Sequence, residues 1–112
     1  MRTRLAAIAA TAALALGLAA APAVAAPTAL SLYTGTGYSG QLQDLVVGTG
    51  CVHPNEVLID NAESVYNRHG ITLRMYRADN CTGAYMTIYA GQKFPNLNTL
   101  GYGNTIASVR RN

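Results

Sequence analysis

Tyr33-Thr-Gly-Thr-Gly-Tyr38-Ser-Gly40 sets two aromatics around a glycine-rich turn and closes with a glycine after one spacer, the pattern of a folded β-hairpin. Tyr33 ends a short apolar run containing Leu30 and Leu32, Gly35 and Gly37 can take the positive φ of a tight connection, and the Tyr38 ring can cover the turn. Gly40 then stands where a side chain is expected to collide with that ring. A reduced copy lies 43 residues on, at Tyr76-Arg-Ala-Asp-Asn-Cys81-Thr-Gly83, with Cys81 in place of the second aromatic. The hairpin motif therefore rests on Tyr33, Tyr38 and Gly40 in one copy and on Tyr76 and Gly83 in the other. One element used twice implies an internal duplication.

The repeat extends beyond the hairpins. Gln41-Leu-Gln-Asp-Leu-Val-Val47 begins as a strand-like alternation and runs into Gly48-Thr-Gly50, while Ala84-Tyr-Met-Thr-Ile-Tyr89 runs into Gly91, again 43 residues after Gly48. Leu58-Ile-Asp-Asn-Ala-Glu-Ser64-Val65 matches Tyr102-Gly-Asn-Thr-Ile-Ala-Ser108-Val109 at an offset of 44, so one residue is inserted between the landmarks. Outside the N-terminus no window sustains a helical period, and turn residues recur every few positions. This is the signature of an all-β sandwich of short strands. Two Greek keys packed face to face, at about 29–68 and about 70–112, would bury a core of Leu45, Val47, Ile71, Leu73, Met75, Ile88, Ile106 and Val109.

Residues 1–25 read differently. Arg2 and Arg4 precede an apolar, Ala-rich run, and Ala23-Val-Ala25 is a small-x-small triplet, which together describe a secretory signal peptide cleaved after Ala25. The run is too short for a membrane span of about 20 residues, so the mature chain, 26–112, is expected to carry no membrane segment. Removing two of the eight Lys/Arg leaves six against five Asp/Glu and a net charge of only +1. Arg74 with Arg77, and Arg110 with Arg111, form no stripe with interleaved aromatics, so no nucleic-acid partner is expected and these arginines read as solvated surface.

Cys51 and Cys81 are the only cysteines, and an exported chain of this size is expected to join them in one disulfide. A zinc site wants about four ligands, and neither His53 nor His69 stands at ligand spacing from a cysteine. Both histidines lie in Pro- or Gly-containing loops and are expected at the surface. Catalysis finds no support: there is no Gly-x-Ser-x-Gly elbow, no His-Glu-x-x-His pair and no phosphate loop, so no catalytic residue is assigned.

With these residues in place, the chain resembles the βγ-crystallin superfamily, whose Greek keys carry the hairpin pattern quoted above and a later serine bonded back to the hairpin. The resemblance covers nearly all of 26–112 and implies a two-Greek-key β-sandwich in which Ser64 and Ser108 are the structural serines. Within the superfamily the chain is similar to the small secreted actinomycete metalloproteinase inhibitors, through Cys51, Asp60-Asn-Ala-Glu-Ser-Val65, Asn80-Cys-Thr-Gly83 and Asn104-Thr-Ile-Ala-Ser-Val109. Many βγ-crystallin domains bind calcium through two Asn/Asp, two variable residues, a Ser/Thr and a Ser, because calcium takes about six to eight oxygen ligands. Here both copies are eroded: Ile59 and Glu63 break the first, and Gly103 and Ala107 break the second. No metal or other cofactor is expected, and Asp60 and Glu63 remain as residual calcium candidates.

The resemblance points to a secreted, extracellular, non-enzymatic monomer that inhibits a protease. The loop 51–56 is the candidate inhibitory element, with Cys51, Val52, His53 and Pro54 at its centre: the disulfide pins Cys51, Pro54 stiffens the chain, and Val52 offers an apolar side chain after the bond to be attacked. The alternative is a calcium- or cell-wall-polysaccharide-binding βγ-crystallin with a structural, stress or antifungal role, using exposed tyrosines such as Tyr85 and Tyr89 for a polysaccharide partner.

Overall fold

In the computed structural model, which describes residues 28–112, the first hairpin pairs β1 (Leu30–Gly35) with β2 (Ser39–Leu45). Leu30 faces Leu45 and Tyr33 faces Leu42, and the register slips between Tyr33 and Gly35 where the turn folds over. The expected signal peptide, 1–25, lies outside the described residues. β1 also pairs on its other side with β3 (Ser64–Asn67), and β3 in turn with the two-residue β6 (Lys93–Phe94), giving a sheet of order β2-β1-β3-β6. The second sheet has the order β5-β4-β7, built from β4 (Leu73–Tyr76), β5 (Tyr85–Ile88) and β7 (Ser108–Arg111). All ladders are antiparallel.

The two repeat units do not each own a sheet. β6, which belongs to the second unit by sequence, completes the first sheet beside Val65, and Val52 of the first unit joins the second sheet beside Val109. The two exchanges are related by the repeat, since Val65 and Val109 are 44 residues apart. Reciprocal backbone bonds stitch the units together in the same way: Asp60 N–H donates to Ile106 O at 3.0 Å, and Asn104 N–H donates to Ala62 O at 2.9 Å.

One apolar cluster draws on both sheets: Leu30, Leu32, Leu45 and Val65 from the first, Leu73, Met75, Ile88 and Val109 from the second. Each such side chain contributes about 1.5–3 kcal/mol by leaving water. Of the expected core, Ile71 alone is only half-buried, packing against the cluster from its edge. Leu58, Ala62 and Leu97 join the core from irregular segments, with Leu97 opening a 3₁₀ turn at Leu97–Leu100.

His69 departs from the surface position expected of it: it is 5% exposed. It is drawn in by Asn67, a fully buried side chain at the junction between the units. The Asn67 amide donates to the carbonyls of Ile71, Ile88 and Tyr89, and its Oδ1 accepts the His69 N–H at 2.9 Å. A buried side chain that satisfies four backbone groups fixes the path of the chain around it. Gly40 is also explained differently from the expectation. It has φ +81°, and an added Cβ would run into Thr34 Oγ1 and stand 3.0 Å from Gly35 N, so the turn's own chain excludes it rather than the Tyr38 ring. At Gly83, φ is +80° and an added Cβ would meet nothing within 4 Å, so its glycine is required by backbone conformation alone.

Candidate functional site

The two folded hairpins are held by equivalent bonds. Ser64 Oγ accepts Tyr38 N–H at 3.0 Å and donates to Gly35 O at 2.6 Å; Ser108 Oγ accepts Cys81 N–H at 2.9 Å and donates to Ala78 O at 2.6 Å. Tyr38 and Cys81 share a positive φ, 61° and 54°, which non-glycine residues keep only when their surroundings hold them there. In the first copy the Tyr38 ring meets Tyr33 edge-on at 5.7 Å. In the second, Tyr76 packs instead on Tyr85 at 5.2 Å, and Cys81 spends its side chain on a disulfide to Cys51, with the Cα atoms 5.9 Å apart.

That disulfide anchors the segment 47–55, whose remaining attachments follow one after another. Val52 exchanges both backbone bonds with Val109 at 2.9 Å, and its half-buried side chain packs against the core. Cys51 and His53 are exposed on either side of it, and Pro54 is buried. Asn55 N–H donates to Gln43 Oε1 at 2.8 Å, while Asn55 Oδ1 accepts the Val57 and Leu58 N–H groups at 3.0 Å, closing the loop into the following turn. On the upstream side, Val47 N–H donates to His69 Nε2 at 3.2 Å, and Arg111 Nε donates to Gly48 O at 2.8 Å. Between these anchors Gly48 and Gly50 are open, with nothing within 4 Å of an added Cβ.

Asp60 is exposed at φ 55°, and Glu63 Oε1 accepts Asn98 Nδ2 at 3.2 Å. Among the described residues, no three His, Cys, Asp or Glu side chains gather closely enough to hold a metal ion. Tyr85 and Tyr89 are both exposed, but the Tyr85 ring already carries Arg74 at 4.5 Å and Tyr76 at 5.2 Å. No helix among the described residues is long and apolar enough to cross a membrane.

His69, Arg111 and Val109 were missed by sequence reasoning as parts of this loop's support. Arg111 stands in a pair of arginines that reads as solvated surface, and its bond to Gly48 spans 63 residues, a distance no local pattern encodes. Burial, then the nearby Arg111 charge, push the His69 pKa down from its ordinary value, against a smaller opposing pull from the Leu45 backbone.

Comparison with known proteins bears on this arrangement at two levels. No match to a curated protein was found. A structure solved for the evolution of the eye-lens βγ-crystallin domain fold superposes with a TM-score of 0.65 at 18% identity, covering 80% of this chain and 90% of that one. The βγ-crystallin of Ciona intestinalis gives 0.62 at 17% identity, covering 74% and 98%, and the βγ-crystallin domain of Flavobacterium johnsoniae gives 0.60 at 23%, covering 73% and 91%. At these identities the likeness establishes the fold, a βγ-crystallin sandwich. The sequence model of peptidase inhibitor family I36 matches residues 19–88, more than half of the chain, and that span contains both cysteines and the loop between the first hairpin and β3. The chain therefore belongs to peptidase inhibitor family I36.

Proposed function

We propose that the mature chain, 26–112, is a secreted, non-enzymatic inhibitor of a zinc metalloendopeptidase, presenting the bond between Cys51 and Val52. The observation that supports this most is that the two residues flanking that bond are tethered independently. Cys51 is tied covalently to Cys81, and Val52 is tied to Val109 by two backbone bonds. If the bond is cut, neither new end can drift away, so rejoining stays intramolecular and product release is slow. The loop also meets its target already ordered, which spares the entropy that a flexible substrate loses on binding. The exposed part of Val52 offers an apolar contact to a thermolysin-like site, and the side-chain-free Gly48 and Gly50 leave room for the rim of an enzyme cleft. Export with a signal peptide at 1–25 accords with the disulfide. The two keys at about 29–68 and 70–112 act as one scaffold, and calcium has no part in this reading.

The bond is tested by prolonged incubation with a catalytic amount of a zinc endopeptidase, followed by mass measurement without and with reduction. The expected result is a gain of one water with the chain still joined, resolved on reduction into two fragments, the second beginning at Val52. A first nick at any other bond would contradict the assignment.

A further inference from the structure

Two side chains far apart in sequence clasp the upstream stem of the loop: His69 Nε2 accepts the Val47 N–H at 3.2 Å, and Arg111 Nε donates to Gly48 O at 2.8 Å. The downstream half is held by other means, at Val52 and Asn55. Resting on the inhibitor reading above, we infer that His69 and Arg111 are positioning residues for the inhibitory loop, and that protonation of His69 opens the clasp and weakens inhibition in acid.

The chemistry follows from which groups meet the ring. Nε2 accepts a hydrogen bond only while the imidazole is neutral; a proton on Nε2 turns it into a donor facing the Val47 donor. From β7 the ring faces Arg111, a cation. From the end of β2 it meets the Leu45 carbonyl and, two residues on, the Val47 amide, while Asn67 on β3 accepts the His69 backbone N–H at 2.9 Å. None of these partners is a carboxylate, so the new positive charge would be buried beside Arg111 with only the Leu45 carbonyl to offset it. The direction of the His69 shift agrees with this. Burial and Arg111 lower its folded pKa, so the neutral ring's contribution is complete above the unfolded value of about 6.5 and is lost as pH falls through the lowered folded value. The upstream stem then loses one anchor and sits against a repelled second one, while the disulfide and the Val52–Val109 bonds still hold the body of the domain.

The test compares the wild type with His69→Gln, whose amide can accept from Val47 but does not titrate. Inhibition constants against one zinc endopeptidase are measured for both from about pH 7.5 to about pH 5, where the ratio of the two cancels the enzyme's own titration. Wild-type inhibition is expected to weaken about three- to tenfold relative to His69→Gln over that range, the effect of losing one buried hydrogen bond. In parallel, NMR of the wild type alone follows the His69 ring and the exchange of the Val47 amide; Val47 protection is expected to fall as the ring titrates. Parallel inhibition profiles for the two proteins, or Val47 protection unchanged through the His69 titration, would overturn the inference. If no enzyme is inhibited at any pH, the inhibitor reading fails and the Val47 measurement still decides whether the clasp exists.

Discussion

The double variant Cys51→Ala/Cys81→Ala is expected to lose about 3–4 kcal/mol of stability, the chain-entropy contribution of a cross-link closing a loop of this length. The cysteines are 30 residues apart and join the two repeat units, so cutting the link frees a long stretch of the unfolded chain. For a domain of this size the loss corresponds to a fall in Tm of roughly 12–30 °C. Because the constraint acts on the unfolded state, the denaturant m-value should rise as well, since a looser unfolded chain exposes more surface. Urea unfolding of the two proteins measures both effects, and a loss below about 1 kcal/mol would contradict the account. In an inhibition assay the variant should behave as a substrate, because after cleavage before Val52 the new end at position 51 would keep no covalent tether, only the upstream bonds at Val47 and Gly48.

Ser64→Ala is the second large effect expected, at about 2–4 kcal/mol. The hydroxyl serves two backbone groups of the first hairpin at once, and its loss leaves the Tyr38 N–H without a partner next to a residue held at positive φ. Ser108→Ala removes the equivalent pair of bonds from the second hairpin. Its cost should be smaller, because the disulfide still holds Cys81 in place. This asymmetry gives a coupling test. Ser108→Ala should cost more in the Cys51→Ala/Cys81→Ala background than in the wild type, whereas Ser64→Ala should cost the same in both. Equal costs for Ser108→Ala in the two backgrounds would show that the disulfide does not take over the work of the lost aromatic.

These predictions rest on features that differ in how far they could be read from the chain. The hairpin pattern at Tyr33, Tyr38 and Gly40, its copy ending in Gly83, and the offsets of 43 and 44 led to an all-β, two-key sandwich, because those positions carry local backbone requirements. The single disulfide followed from having only two cysteines. The exchange of β6 and Val52 between sheets was not legible, since one is two residues long and the other a single bridge, and neither leaves a periodic trace. Leu58 and Leu97 reach the core from irregular segments for the same reason. His69 looked like a loop histidine because its burial depends on Asn67, Val47 and Arg111, which the fold alone brings together. Gly40 was assigned to its position correctly but for the wrong neighbour: Thr34, not the Tyr38 ring, excludes a side chain.

The functional reading depends on an ordered loop whose attacked bond is tethered on both sides, in a chain of peptidase inhibitor family I36. It is tested most directly by titrating the oxidised segment 26–112 against a thermolysin-like zinc endopeptidase, with a subtilisin-like and a papain-like enzyme in parallel. Sub-micromolar inhibition of the zinc enzyme is the expected result. No inhibition of the zinc enzyme at micromolar protein, with the disulfide formed and the domain folded, would contradict it.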